Sequence, residues 1–273
     1  MRIGAHQIGA GHPLFVIAEV GLNHGGSVDR ALSLVDAAAA AGVPAVKLQT
    51  LTAAELVAPS PTRDFFAPFE LDEAAHRTIA ARARAHGLAL IATPLSLGAV
   101  DLLERVGVDA YKIASGDITF TALIERCAAT GKPLILSTGV STLEETLRVV
   151  DFARGARASS LAVLHCVSSY PVPAGSENLK AIATLAAALP VPVGLSDHAG
   201  DTSAVPVAVA LGASLYERHI ILAEDDPAID APVSSTPEQF ARLIRAAARA
   251  AESLGSGIKE VQPAEAVVTF FVA

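Results

Sequence analysis

Two histidines stand where a metal ion could be held. The stretch from Val191 to His219, VPVGLSDHAGDTSAVPVAVALGASLYERH, reads as a strand, a turn, a small-residue helix from about Asp201 to Leu211, and a second strand. Each strand ends in a histidine, His198 and His219. Neighbouring parallel strands lie about 4.8 Å apart, so side chains at matching ends can meet one ion. Glu217, two residues before His219, points to the same side of its strand. Two imidazoles beside a carboxylate suit a divalent ion such as Mn²⁺, Zn²⁺ or Fe²⁺. On spacing alone, two unrelated histidines at loop ends account for the pattern as well.

The remaining polar residues repeat one theme. Apolar runs that read as strands finish in Glu19, in Lys47 and Gln49, in Thr93, in Lys112 with Ser115 and Asp117, in Ser137, in Ser168 with Tyr170, and in Ser196. A buried polar group costs stability unless it is satisfied, so agreement among all the strand ends points to a shared site. A lysine near the end of a buried strand either pairs structurally, with Glu19 as the obvious partner, or binds an anion. Lys47 and Lys112 with the hydroxyls of Ser115, Ser137 and Ser196 would make a small pocket for phosphate and carboxylate. Charge runs such as Glu144 and Glu145, or Arg242, Arg245 and Arg249, read as solvated helix faces.

The elements that must position these residues alternate regularly. A Gly-rich segment, residues 1–13, reads as a short hairpin covering the bottom of a barrel. Strands follow at LFVIAEV, AVKLQT, LALIATP, DAYKIASGD, PLILSTG, LAVLHCVSSYP, VPVGLS and ASLYERH. Helices follow them from Ser27 to Ala41, Asp72 to His86, Gly98 to Val106, Thr119 to Thr130, after a Ser141–Glu144 capping box, Glu177 to Leu189, Asp201 to Leu211, and Thr236 to Leu254. Ser27 and Asp72 are N-cap residues, and Thr236-Pro237-Glu238 supplies a cap, an N1 proline and an acidic first turn. A long Pro-rich loop precedes Leu71, of the kind that forms lids. Eight strand–helix units predict an α/β fold, a (β/α)₈ TIM barrel with a short N-terminal β-hairpin cap. The sequence after the first strand, GLNHGG, is not the GxGxxG of a doubly wound dinucleotide fold. Residues 1–273 therefore read as one catalytic barrel domain, with 256–273 as a tail. Barrel active sites lie at the C-terminal ends of the strands, where the polar residues gather.

Composition narrows the partners. With 273 residues, 52% of them hydrophobic and none of them Trp, the chain has material for a large core but no aromatic platform for carbohydrate or RNA stacking. A net charge of −8 disfavours nucleic acid and anionic membranes. Cys127 and Cys166 lie far apart in no metal spacing, as expected of reduced cysteines in a cytoplasmic protein. No basic-then-apolar signal segment opens the chain, and no apolar run reaches the roughly 18 residues of a membrane span.

The motifs IAEVGLNHGGS, VKLQT, YKIASGD, LILSTG, LHCVSSYP, GLSDHAG and YERH occur in an order that resembles the sialic acid synthase family. That family comprises the N-acetylneuraminate, legionaminate and pseudaminate synthases and the spore-coat polysaccharide proteins. The resemblance covers residues 14–273. It implies condensation of phosphoenolpyruvate with an N-acetylated aldose, N-acetylmannosamine-like, to a nine-carbon 2-keto acid and phosphate. It also implies a homodimer and a divalent metal: Mn²⁺ first, with Mg²⁺, Co²⁺ or Zn²⁺ as alternatives. By this resemblance His198 and His219 are the metal ligands. Lys47, Lys112, Ser115, Ser137 and Ser196 hold phosphoenolpyruvate, while Glu19, Gln49, Tyr170 and Asp230 lie near the sugar and the reacting carbons. The sequence departs from the family at SGD, where SGE is common, so that Asp117 has a shorter reach. It departs again at Ser168, where Asn is typical, and in IILAEDDPAIDAP, which lacks a common basic residue. An antifreeze-like domain usual beyond this point is expected to be missing, leaving the apolar tail AVVTFFVA as an interface. Another phosphoenolpyruvate-dependent synthase with a different aldehyde, a barrel relying on a separate partner for sugar binding, and a non-catalytic scaffold are the competing readings.

Overall fold

The computed structural model describes residues 1–56, 59–158 and 160–265. The apolar tail 266–273 lies outside them. Eight parallel strands form the wall: β1 Phe15–Gly21, β2 Ala45–Thr50, β3 Ala89–Pro94, β4 Ala110–Ile113, β5 Leu134–Ser137, β6 Leu161–Cys166, β7 Val193–Ser196 and β8 Leu215–Ile220. Each pairs with its successor, and β8 pairs with both β7 and β1, in register Glu217↔Ser196 and Glu217↔Ile17, which closes the sheet. The expected (β/α)₈ barrel is the observed fold.

Eight helices cover the outside: α1 Val28–Ala40, α2 Glu73–Ala85, α3 Leu97–Val106, α4 Thr121–Ala128, α5 Leu143–Gly155, α6 Lys180–Ala188, α7 Ala204–Ala210 and α8 Pro237–Leu254. Their starts are written in the caps. Ser27, Asp72 and Ser96 accept from the amides of Arg30, Ala75 and Ala99, and Thr236 with Gln239 forms a capping box over an N1 proline. The capping box of α5 is Thr142 with Glu145, one residue beyond the Ser141–Glu144 pair the sequence suggested. Both pairs have the same spacing, and only the backbone direction leaving β5 separates them. The segment before Leu71 is also not plain loop. It folds into two short helices, Ala53–Leu56 and Pro61–Phe66, the second capped by Ser60 with a proline in its first turn.

Outward-facing strand residues and inward-facing helix residues make the main core, among them Val46, Leu90, Tyr111, Leu136, Val163 and Tyr216. A second cluster fills the barrel's lower half: Phe15, Ile17, Ala45, Ile91, Ala110, Ile135, Leu164 and Leu215. The N-terminal hairpin, Arg2–Ile3 against His6–Gln7, adds Ile3 and Ile8 to this cluster and so plugs the bottom as expected. Packing there is tight enough to demand a glycine on β7. A Cβ at Gly194 would overlap the Leu215 carbonyl oxygen and the Leu164 side chain. Among the described residues no helix is long and apolar enough to cross a membrane.

Candidate active site

Side chains alternate along a strand, so two residues above the apolar layer the same strands point inward again. At that height Ile17 gives way to Glu19, Ala45 to Lys47, Ile91 to Thr93, Ala110 to Lys112, Ile135 to Ser137, Leu164 to Cys166 and Leu215 to Glu217. These upper residues line one cavity of about 180 Å³ at the C-terminal end of the barrel, with Gln49, Ser115, Ser168, Tyr170, Ser196 and His198 completing it. This is below the roughly 300–1,000 Å³ of drug-sized sites and suits a compact ligand. A larger cavity of about 790 Å³, between the starts of α5 and α6, shares Cys166 and Ser168 with it.

The centre is a buried ion network. Lys47 Nζ lies 2.9 Å from Glu19 Oε1 and 3.2 Å from Glu217 Oε1, and donates to Thr93 Oγ1 at 3.3 Å. Lys112 Nζ donates to Glu217 Oε1 at 2.6 Å, and Ser196 Oγ donates to the same oxygen at 3.0 Å. Gln49 Nε2 donates to Glu19 Oε1 at 2.8 Å. Both lysines are thus paired, Lys47 with Glu19 and Glu217 and Lys112 with Glu217. Burial alone would raise the Glu19 pKa, but the charges of His219, Lys47 and Lys112 outweigh it and hold the carboxyl well below the usual range. Burial likewise opposes the charge on Lys47, and Glu19 and Glu217 overcome it, so its pKa is raised. Lys112 differs. There burial, assisted by the charge of Lys47, outweighs the attraction of Glu217 and the pKa is lowered.

The two histidines flank this network. Their ring centroids are 5.7 Å apart, and the Tyr170 ring lies 4.2 Å from that of His198. Glu19 Oε2 approaches His219 Nε2 at 3.4 Å and Asp230 Oδ2 approaches its Nδ1 at 3.4 Å. Buried His219 Nδ1 and Glu217 Oε2 have no hydrogen-bond partner among the described residues. Among the described residues no group of three or more His, Cys, Asp or Glu is arranged to hold a metal. His198 lines the cavity, whereas His219 lies beside it between Glu19 and Asp230, so the pair offers imidazole nitrogens with carboxylates alongside.

The structure brings together almost every residue the sequence singled out. Ser115 Oγ accepts from the Gly139 amide at 2.9 Å, and a Cβ at Gly139 would overlap Ser168 Oγ, so a glycine lets the β5 loop close over the site. Asp117 is the exception. β4 ends at Ile113, a 3₁₀ turn over Ser115–Asp117 follows, and Asp117 does not line the cavity. Two residues do more here than their sequence context indicates. Glu217, noted only as a carboxylate near a histidine, is the partner shared by both lysines. Cys166 lines the cavity with Sγ 3.7 Å from His198 Nδ1; burial pushes its thiol up, but His198 and Lys112 bring it down to about 7. Alternation from Leu164 would have placed Cys166 inward.

The model of the NeuB family matches residues 34–259. The chain belongs to the NeuB family. It is 33% identical over 271 residues to the N,N'-diacetyllegionaminic acid synthase of Campylobacter jejuni, covering 92% of this chain and 80% of that protein. An uncharacterized protein of Methanocaldococcus jannaschii is 39% identical, over 97% of this chain and 79% of the relative. Among solved structures, the N-acetylneuraminic acid synthetase of Leptospira borgpetersenii superposes with a TM-score of 0.93 at 32% identity, over 99% of this chain and 95% of the other. The chain is thus a NeuB-family barrel whose relatives include named nonulosonic acid synthases.

Proposed function

We propose that this NeuB-family chain condenses phosphoenolpyruvate with an N-acetylated aldose, giving a nonulosonic acid and phosphate. The supporting observation is the convergence of Lys47, Lys112, Glu19, Glu217 and His198 on one small cavity, with His219 against Glu19 at its edge. In this reaction the enol carbon of phosphoenolpyruvate bonds to the aldehyde carbon, water adds at C2, and phosphate leaves by C–O cleavage.

An ammonium carries three donors. Lys47 spends three on Glu19, Glu217 and Thr93, whereas among the described residues Lys112 has Glu217 as its one hydrogen-bond partner and keeps two. Lys112 is therefore the first cation to meet the incoming anion, and Ser115, Ser137 and Ser196 supply hydroxyls around it. As the anion draws the lysines toward itself, Glu19 loses the charges that suppress its basicity and becomes able to take a proton. His198 and His219 would hold a divalent ion, Mn²⁺ by preference, leaving positions open as catalytic sites do. When bound, such an ion supplies Lewis-acid polarisation of the aldehyde oxygen. The unpartnered Nδ1 of His219 and the neighbouring Glu19 and Asp230 fit that use.

The test is phosphate release from phosphoenolpyruvate with Mn²⁺ and a panel of N-acetylated hexosamines, with non-acetylated aldehydes alongside and product mass. A product three carbons longer than the sugar, equimolar with phosphate, is expected. No phosphate release across the panel overturns the reading. Release only with non-acetylated aldehydes would favour a synthase with another acceptor, a reading that Ser168 in the place of the family's Asn supports.

A further inference from the structure

Behind the two histidines, on the outer face of the same strands, lies a second buried polar network, none of whose members lines the cavity at the strand ends. Tyr216 and Arg218 alternate with Glu217 and His219 and so face away from the barrel interior. Both are fully buried, as is Asp197, which sits between Ser196 and His198. Tyr216 Oη donates to Asp197 Oδ2 at 2.5 Å, and Arg218 Nη1 lies 3.3 Å from that oxygen. Arg218 Nε donates to Ser235 Oγ at 2.6 Å, which fastens it to the segment paired with the end of β8. The other carboxylate oxygen, Asp197 Oδ1, accepts from the Ala199 amide at 2.9 Å. His198 stands inside that turn, and its carbonyl accepts from the Val172 amide at 2.9 Å.

We infer that Asp197, clamped by Tyr216 and Arg218, is a positioning residue that sets His198 relative to His219. A buried ion pair is weak support for stability, because apolar residues of similar volume usually do as well. The surroundings here are apolar, with Ala204, Val205 and Ala208 of α7 in the same cluster as Tyr216. What apolar residues could not do is fix the turn at His198 and tie it laterally to the strand that carries His219. Asp197 does both with its two oxygens. The clamp reaches across the β7–β8 seam, the one place where the spacing of the two imidazoles is decided. Supports behind ligating residues change metal affinity by about ten- to a hundredfold when removed.

This inference rests on the metal reading for its consequence but not for its geometry, and the experiment separates the two. The full chain is prepared with ¹⁵N-labelled histidine rings, with the His198 signal identified by its loss in His198→Ala. Tyr216→Phe deletes one hydroxyl from the clamp. Tyr111→Phe is the control, since Tyr111 is equally buried on the outer face of β4 and donates to Glu104 at 2.6 Å, far from His198. In metal-free protein, Tyr216→Phe is expected to shift or broaden the His198 ring resonances, whereas Tyr111→Phe leaves them in place. Titration with Mn²⁺, followed by electron paramagnetic resonance, is expected to show about ten- to a hundredfold weaker binding for Tyr216→Phe only. Unchanged His198 resonances in Tyr216→Phe overturn the inference. If wild type shows no Mn²⁺ binding that His198→Ala abolishes, the metal reading falls and the ring resonances alone decide the clamp. Should Tyr216→Phe fail to fold, Ser235→Ala removes the other anchor of Arg218 and is read in the same way.

Discussion

The lower and upper halves of the barrel interior are built by the same strands, one pleat apart, and they are chemically opposite. Below, Ile17, Ala45, Ala110 and Leu215 pack with Ile3 and Ile8 into an apolar plug. Above, Glu19, Lys47, Lys112 and Glu217 sit equally buried and fully ionic. Burial is therefore not what distinguishes the site; side-chain type at successive inward positions is. The plug works by filling space, which many residues could do. The ion layer must meet specific partners at specific distances, and no gain in stability requires it.

Single substitutions at the two levels should differ in kind. Glu217→Ala strands Lys112 and weakens Lys47, and the expected loss is about 3–5 kcal/mol of unfolding free energy together with activity. Ile17→Ala should lose a comparable but smaller amount, about 2–4 kcal/mol, from a cavity alone. Its kcat/KM per folded molecule should stay within a factor of about two. Urea titrations and steady-state kinetics check both. The sharper version is the double variant Lys112→Met, Glu217→Leu. It should be more stable than Glu217→Ala yet inactive, because removing both ions costs less than orphaning one. A double variant as unstable as the single one would erase the contrast between the halves.

A second difference concerns acid. The upper rim carries His24, whose Nδ1 accepts from the Gly26 amide at 2.9 Å and so must be unprotonated in the fold. Burial, with the charges of His76 and Arg30, lowers its pKa from 6.5 to about 4. Between those values the unfolded chain binds a proton that the folded chain does not. Stability therefore rises with pH across the window and falls on acidification, by roughly 3 kcal/mol once the pH has dropped below the folded value. His24→Gln should flatten the slope of unfolding free energy against pH between 6.5 and 4, whereas Ile17→Ala should shift the curve and leave its slope unchanged. An unaltered slope in His24→Gln would refute the assignment.

The smallest effect tests how finely the ion layer is tuned. Thr93→Val removes one donor-to-hydroxyl contact, Lys47 to Thr93 at 3.3 Å, and should cost about 1 kcal/mol by thermal unfolding. A loss well above that would mean that Thr93 supports more of the network than Lys47 alone.

Much of this was legible in the sequence, because period two carries both halves. Lys47 with Gln49 and Glu217 with His219 are spaced to share a face, and the caps Ser27, Asp72 and Thr236 announce their helices. What could not be read is which charges meet. Lys112 and Glu217 lie 105 residues apart and become partners only because the sheet closes across the barrel. The alternation also fails where a strand stops early. Asp117 looked like a strand-end residue, but the chain leaves the wall at Ile113 and turns. The outer clamp at Asp197 was hidden for a related reason: Tyr216 and Arg218 read as ordinary residues until their neighbours behind the wall are known.

The hairpin plug has a kinetic side. With Ile3 and Ile8 corking the floor, the ion layer is the blind end of a chamber whose mouth is at the opposite rim. Whatever sits at Lys112 shares this chamber with Tyr170 and Gln49, which line it as well. A molecule seated at the blind end is held there by anything that settles above it.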